Sequence, residues 1–314
     1  MKIIRGLHNF NFTNFACVTT IGNFDGVHLG HQEIIKQLNV KAKEYQLPSL
    51  VMMFEPHPKE FFAANNPKAE EAPIRLCRFR DKIRLLQTLD VDYVLVINFN
   101  SSFASLTADE FVEQLLVKQL GIHYIQIGDD FCYGMQRQGN YQHLKQKSQQ
   151  FGFELEATPT CLYERIRVSS TRIREVLNTG DIDTAKKLLS HPYSVSGHVQ
   201  HGAKKGRTIG FPTANIRLPC QRPALTGVYA VVLCLTKLDK KVEGIANIGY
   251  RPTVDGKTAL LEVHIFNFNE DLYGQYVHVE FLKKIRDEQK FESFDALKQQ
   301  IMDDVVIAKD YFKI

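Results

Sequence analysis

Two histidines and a cluster of glycines stand close together near the amino terminus, in Thr20-Ile21-Gly22-Asn23-Phe24-Asp25-Gly26-Val27-His28-Leu29-Gly30-His31. His28 and His31 are three positions apart, a spacing that sets both imidazoles on one face once a helix begins there. The apolar run over 16–21 ahead of them reads as a buried strand. Behind them Ile34, Ile35, Leu38, Ala42 and Tyr45 recur at the helical period. A strand, a glycine turn and a helix start aim backbone N–H groups and the positive end of a helix dipole at the turn, whose natural guest is a phosphate. Imidazole N–H groups at that point offset charge developing on a phosphate in transfer. Asp25-Gly26 alone is an ordinary turn, and one histidine near a helix start is usually structural. Two at this spacing, behind a strand and between glycines, favour phosphate chemistry. The pattern has neither the Gly-Lys-Ser/Thr of a P-loop nor the acidic residue that a dinucleotide-binding glycine motif carries on its second strand.

Five further stretches carry chemistry. Phe54-Glu55-Pro56-His57-Pro58 closes a strand over 49–54, and its prolines stiffen the loop that presents His57. Gly128-Asp129-Asp130-Phe131 follows a strand over 124–127. Its carboxylates suit a ribose hydroxyl or recruitment of Mg²⁺, or form only a solvated acidic turn. Both loops lie at strand carboxyl ends, where open α/β sheets bind ligands. Ser169-Ser170-Thr171-Arg172-Ile173-Arg174 opens a helix that Gly180 closes. Its hydroxyls read as caps, but Ser170 and Thr171 with Arg174 on their face also make a polyphosphate site. In the second half, Gly202-Ala203-Lys204-Lys205-Gly206-Arg207-Thr208-Ile209-Gly210-Phe211-Pro212-Thr213-Ala214-Asn215 reads as a phosphate-hugging loop, with Thr213 and Asn215 as hard-oxygen ligands for Mg²⁺. In Leu261-Glu262-Val263-His264-Ile265-Phe266, alternation puts Glu262, His264 and Phe266 on one strand face. A glutamate so placed is either a lysine-paired residue at a barrel mouth or a general base for a primary hydroxyl.

These strings resemble, in order, the HxGH nucleotidyltransferases and most closely the bacterial bifunctional riboflavin kinase/FAD synthetase family. The resemblance runs from about Gly22 to about Asp304. It implies that His28, His31 and Arg174 act in adenylyl transfer from ATP to FMN, with Gly22, Phe24, Asp25, Gly26, His57, Asp130, Ser170 and Thr171 contacting nucleotide or flavin phosphate. It also implies that Glu262 is the base in riboflavin phosphorylation, with Gly206, Arg207, Gly210, Pro212, Asn247 and Arg251 in that site and Mg²⁺ on Thr213 and Asn215. ATP, riboflavin, FMN and FAD are the implied substrates and products, and the stretch 281–291 is implied to cover the flavin. A flavin sensor without turnover and a nucleotidyltransferase for another phosphate ester are the competing readings.

Alternating strands and helices up to about residue 186 imply a parallel, Rossmann-like α/β sheet. In that half a helix is expected over 78–88, a strand over 93–97, a capping box at Thr107 and Glu110 ahead of a helix stopped by Gly121, an edge strand over 154–158, and a mobile loop over 61–73. From 187 the period changes. Strands over 193–201, 227–235, 241–248, 260–266 and 276–284 imply a small closed antiparallel β-barrel followed by an amphipathic helix. The expected domains are therefore 1–186 and 187–314.

A length of 314 residues favours two domains, and a net charge of +4 suits anionic small molecules without marking a nucleic-acid binder. The longest apolar run, 228–235, is far too short for a membrane span, and no signal-type segment follows Met1-Lys2-Ile3-Ile4-Arg5. The 6 cysteines show no CxxC pairing and read as small buried hydrophobes. A reducing, cytoplasmic setting is the expectation.

Overall fold

The structure is a computed structural model that describes residues 1–66, 69–128, 130–201, 210–218, 222–235, 240–253 and 256–314, with backbone alone at 251–253 and 256–258. The chain divides into two compact units. One comprises Met1–Pro73 and Lys82–Val168, the other Ile74–Asp81 and Ser169–Ile314.

The first unit is built on six parallel strands: β1 (Lys2–Arg5), β2 (Cys17–Ile21), β3 (Ser49–Glu55), β4 (Tyr93–Asn98), β5 (Ile122–Ile127) and β6 (Glu154–Ala157). Their order is β1-β4-β3-β2-β5-β6. Every residue of β2 is buried, as expected of a strand covered on both faces. Helix α1 (Leu29–Tyr45) covers part of the sheet with Ile35, Leu38 and Ala42, three of the residues whose spacing predicts it. Leu50, Met52, Leu95, Ile125 and Leu116 form the core on which the strands rest.

Two local expectations change and a third element is new. The stretch over 61–73 is not wholly a loop, because α2 (Pro58–Asn65) includes 61–65. His57 caps that helix, Glu60 completes the capping box and Pro58 takes the first turn, so the proline that reads as a loop stiffener starts a helix. The segment after Thr107 keeps its capping box, but one α-turn over Ala108–Glu110 gives way to a π-helix over Phe111–Gln119. Leu120 N–H accordingly donates to Leu115 C=O at 2.9 Å. The third is β1, which the amino-terminal residues form against β4.

Helix α3 (Phe79–Gln87) appears where expected, as do α7 (Ser170–Thr179) and α8 (Ile182–Leu189), which group with the second unit. That unit is a closed antiparallel barrel of order β10-β13-β12-β11-β14-β9. Its strands are β9 (Ser194–Gln200), β10 (Thr213–Arg217), β11 (Gly227–Leu235), β12 (Lys240–Thr253), β13 (Gly256–Ile265) and β14 (Tyr276–Arg286). Tyr229, Val231, Ala246, Leu261, Val263 and Phe281 fill the interior. On the outer wall, Val228, Ala230 and Ile245 meet Val305 and Ala308 of the C-terminal helix Phe294–Phe312. Arg286 grips the buried Asp304 of that helix with Nε 2.9 Å from both carboxylate oxygens, a bidentate pair that fixes the helix on β14. β10 was not expected as a strand. Burial pushes the Cys17 thiol far up.

Candidate functional sites

Strand order decides where the first site lies. From β2 the chain winds through β3 to β4 on one side, and β5 and β6 lie on the other, so the topological switch point is between β2 and β5. The loops leaving these two strands at their carboxyl ends are Gly22–His28 and Gly128–Gly134, both singled out by the sequence.

The first loop is tightly wound. Phe24 (φ 49°), Gly26 (φ 80°) and Val27 (φ 42°) are all left-handed, and Val27 is a β-branched residue in that region. Asp25 and Phe24 are buried in it. His28 precedes the first turn of α1, and its Nδ1 accepts the His31 backbone N–H at 3.3 Å. With Nδ1 accepting, the neutral ring carries its proton on Nε2. The His28 and His31 rings stack with centroids 3.6 Å apart and planes 15° apart, and Phe24 lies 5.0 Å from His31. Gly30 leaves room for the pair, since a Cβ there would stand 3.3 Å from the His28 ring. Burial above all, then the charges of His28 and Lys82, hold the His31 imidazole well below the usual histidine range. The His31 ring is therefore neutral near pH 7, which removes like-charge repulsion from the stack.

Gly22 N–H continues the sheet ladder to Met52 C=O at 3.1 Å, which ties this loop to β3. His57 stands at the carboxyl end of β3, where its Nδ1 caps α2 by accepting from Lys59 N–H at 3.0 Å. Asp130 is exposed, with one carboxylate oxygen 3.8 Å from the Arg167 guanidinium, and Asp129 lies outside the described residues. Ser170, Thr171 and Arg174 stand at the start of α7 in the second unit. Ser169 is the cap there, accepting from Arg172 N–H, while Arg174 Nε donates to Ile74 C=O.

Sequence reasoning misses two features of the first unit. One is a chain of aromatic rings along the carboxyl ends of β3 to β5. It runs from Phe61 through Phe99, Phe103 and Phe111 to Tyr133 and Phe131, with successive centroids 4.9 to 6.2 Å apart. Each ring is separately legible as core, and only the fold lines them up. The other is the anchor of the β5 loop. Tyr133 OH bonds His143 Nδ1 at 2.7 Å, His143 Nε2 reaches Asp109 at 3.2 Å, and Lys147 bridges Asp109 and Glu113. Tyr133 is buried, and the hydroxyl bond closes the loop onto helix α6 (Tyr141–Phe151). Tyr133→Phe is expected to lower stability by about 1 kcal/mol in urea unfolding, the net worth of one such bond. A change below about 0.3 kcal/mol would show that the ring alone closes the loop.

The second site is a row across the barrel's outer wall. Register pairs Asn215 of β10 with Glu262 of β13, and Glu262 with Asn247 of β12. Directly opposed residues share a face, with Cβ atoms ~4.5–5.5 Å apart. One step along, Thr213 opposes His264 on that same face. Glu262, His264 and Phe266 thus share a face as alternation predicts, and that face is the outer wall while Leu261 and Val263 point inward. His264 Nδ1 donates to Pro212 C=O at 2.9 Å, which ties the turn after Gly210 (φ 89°) to β13. Burial holds the His264 imidazole below the usual range. Arg251 keeps its register on β12 opposite Thr258, with its backbone alone described, and Gly206 and Arg207 lie outside the described residues.

Thr213 and Asn215 fit a hard cation. Asn215 is buried and turns its Nδ2 toward Thr213, 3.3 Å from C=O and 3.5 Å from Oγ1, which leaves its amide oxygen outside both contacts. Two neutral oxygens suit Mg²⁺, which completes its shell with water and nucleotide phosphates rather than a protein cage. No group of three or more His, Cys, Asp or Glu side chains placed to hold a metal occurs among the described residues.

Two family models match successive parts of the chain. A family model described as FAD synthetase matches residues 12–172, and one described as riboflavin kinase matches residues 189–312. A Haemophilus influenzae protein named bifunctional riboflavin kinase/FMN adenylyltransferase is 50% identical over 312 residues, covering 99% of each chain. An Escherichia coli K12 protein of the same name is 45% identical, over 99% of this chain and 98% of its own. Among solved structures, a Streptococcus pneumoniae protein described as a macrolide-efflux protein superposes with a TM-score of 0.82 at 33% identity, over 98% of this chain and 99% of that one.

Proposed function

The chain belongs to the bifunctional riboflavin kinase/FMN adenylyltransferase family, and on that premise we propose which residues carry each reaction. The enzyme phosphorylates riboflavin to FMN with ATP and adenylylates FMN to FAD with a second ATP, releasing pyrophosphate. The observation that supports the division of labour is that each family model falls on its own constellation, the His28/His31 loop in one and the Asn215–Glu262–Asn247 row in the other. We assign adenylyl transfer to residues 1–186 and phosphorylation to residues 187–314.

In the barrel, Glu262 takes the proton of the riboflavin 5′-hydroxyl as its oxygen attacks the γ-phosphorus of ATP, and the bond from that phosphorus to the β-γ bridging oxygen breaks to leave ADP. Asn247 and Asn215 flank Glu262 and limit where its carboxylate can swing. Thr213 and Asn215 would hold Mg²⁺, which supplies charge compensation on the phosphates. Gly206, Arg207, Gly210, Pro212 and Arg251 are proposed as nucleotide and flavin contacts.

In the first module an FMN phosphate oxygen attacks the α-phosphorus of ATP in line and pyrophosphate leaves, a step that needs no protein nucleophile. Positioning and charge stabilisation suffice. His28 brings its Nε2–H to the transferring phosphate, and the Gly22–Gly26 turn supplies backbone donors. The aromatic chain ending at Phe131 offers the isoalloxazine an apolar edge beside this loop. Asp130 and His57 are proposed as nucleotide contacts, and Ser170, Thr171 and Arg174 as contacts to triphosphate. For Arg174 this means leaving the Ile74 carbonyl.

Product analysis tests the whole reading. Riboflavin, ATP and Mg²⁺ with the purified protein are expected to give FMN and then FAD on chromatography. FMN without FAD would remove the adenylyltransferase assignment, and no conversion would favour a flavin sensor or another phosphate ester as acceptor. Among the described residues no helix is long and apolar enough to cross a membrane.

A further inference from the structure

Helix α3 carries a charged run from Arg80 to Arg84. Lys82 in it is buried, at 6% exposure. Among the described residues its ammonium has one hydrogen-bond acceptor, the Asn23 backbone carbonyl, at 2.6 Å. Burying an ammonium against a single neutral acceptor is costly, and packing alone would favour an apolar side chain there. That acceptor belongs to the phosphate turn, whose Phe24, Gly26 and Val27 are left-handed. Such a backbone persists only when its surroundings over-determine it. Two side chains hold this one from outside: Gln32 Nε2 donates to Val27 C=O at 2.8 Å, and Lys82 holds Asn23. Two polar atoms of the same site, Asn23 Oδ1 and His31 Nδ1, are out of solvent and have no hydrogen-bond partner among the described residues, which marks a place a ligand completes.

We propose that Lys82 is a positioning residue of the adenylyl-transfer site, holding the Gly22–Val27 turn in its phosphate-receiving shape through the Asn23 carbonyl and presenting a fixed positive charge to the His28/His31 pair. The proposal rests on the reading of that site given above. The charge has a consequence for His31. The groups that bear on it are His28 stacked beside it and Lys82 on α3, with the buried Asp25 in the intervening turn. After burial, the positive charges of His28 and Lys82 disfavour the imidazolium. Removing the Lys82 charge therefore raises the pH at which His31 protonates.

The test uses the full chain without substrate and then with it. The Cε1–H resonance of His31, assigned by its loss in His31→Gln, is followed against pH in the parent, Lys82→Met and Lys82→Arg. The resonance is expected to titrate at higher pH in the Met variant and at the parent's pH in the Arg variant. FMN adenylylation is expected to fall ~10- to 100-fold in Lys82→Met, the scale of a misplaced reacting group, and to return largely in Lys82→Arg. Riboflavin phosphorylation by the same molecules should stay within about twofold and reports that the chain is folded. Lys82→Gln replaces the Met variant should that one fail to fold. An unmoved His31 titration in the uncharged variant, or adenylylation within about twofold of the parent, overturns the proposal. Absence of adenylylation in the parent itself would instead remove the reading of the site, while the ligand-free titration still judges Lys82.

Discussion

Glu262→Gln is expected to lower kcat for riboflavin phosphorylation by ~10²- to 10⁴-fold, the usual contribution of a positioned general base. FAD formation from supplied FMN should be unchanged in the same preparation. Glutamine keeps the volume of the side chain and its place between Asn215 and Asn247, so the register of β10, β13 and β12 survives and only the proton acceptor is lost. The outer wall carries no interior packing from Glu262, because Leu261 and Val263 on either side of it fill the barrel. A fall in both activities together would mean collapse of the chain, not loss of a base. A loss smaller than tenfold would mean that ATP positioning drives the step and that Glu262 is one wall of the pocket. The pH profile separates these outcomes further, since loss of a base removes the acid limb of kcat and loss of a wall does not.

How much of this was legible beforehand differs from element to element. The strand, turn and helix around His28 and His31 follow from a continuous apolar run and a helical repeat, and α1 buries Ile35, Leu38 and Ala42 as that repeat requires. The barrel strands follow equally from alternation, and α7 ends on the glycine that the sequence offers as its stop. β1 is hidden because only Ile4 of its four residues is buried, so an edge strand of this kind carries no period to detect. β10 is hidden because Thr-Ala-Asn-Ile-Arg has weak strand preference, and it is the neighbours β9 and β13 that make it a strand. The Asn215–Glu262–Asn247 row is a fact of register. Three motifs far apart in sequence become one site only when the strands are paired. Lys82 shows the limit from the other side: nothing in a charged helical run says which cation turns inward, and only its burial against the Asn23 carbonyl singles it out. His57 and Ser169 show that a polar residue at a strand end or helix start serves the backbone first, since both are caps in the structure.

That double duty governs the second large effect. His28→Ala is expected to reduce FMN adenylylation by ~10²-fold or more, the scale of one lost transition-state donor, and to leave riboflavin phosphorylation intact. Alanine removes two things at once, the Nε2–H proposed to face the transferring phosphate and the Nδ1 that accepts the His31 N–H at the start of α1. Loss of a cap costs about 0.5–2 kcal/mol and loosens the first turn, where His31 sits, so the alanine variant alone does not assign the effect to the donor. His28→Asn separates the two roles. Asparagine is among the best residues for capping a helix start, and its carbonyl accepts the same kind of N–H, yet its amide falls short of the position that Nε2 occupies. If His28 stabilises charge on the transferring phosphate, the asparagine variant regains the stability lost in alanine and remains ~10²-fold slow. If it restores adenylylation to near the parent rate, His28 is a helix cap, the stacked pair reduces to His31, and charge stabilisation in this module falls to the backbone N–H groups of the Gly22–Gly26 turn.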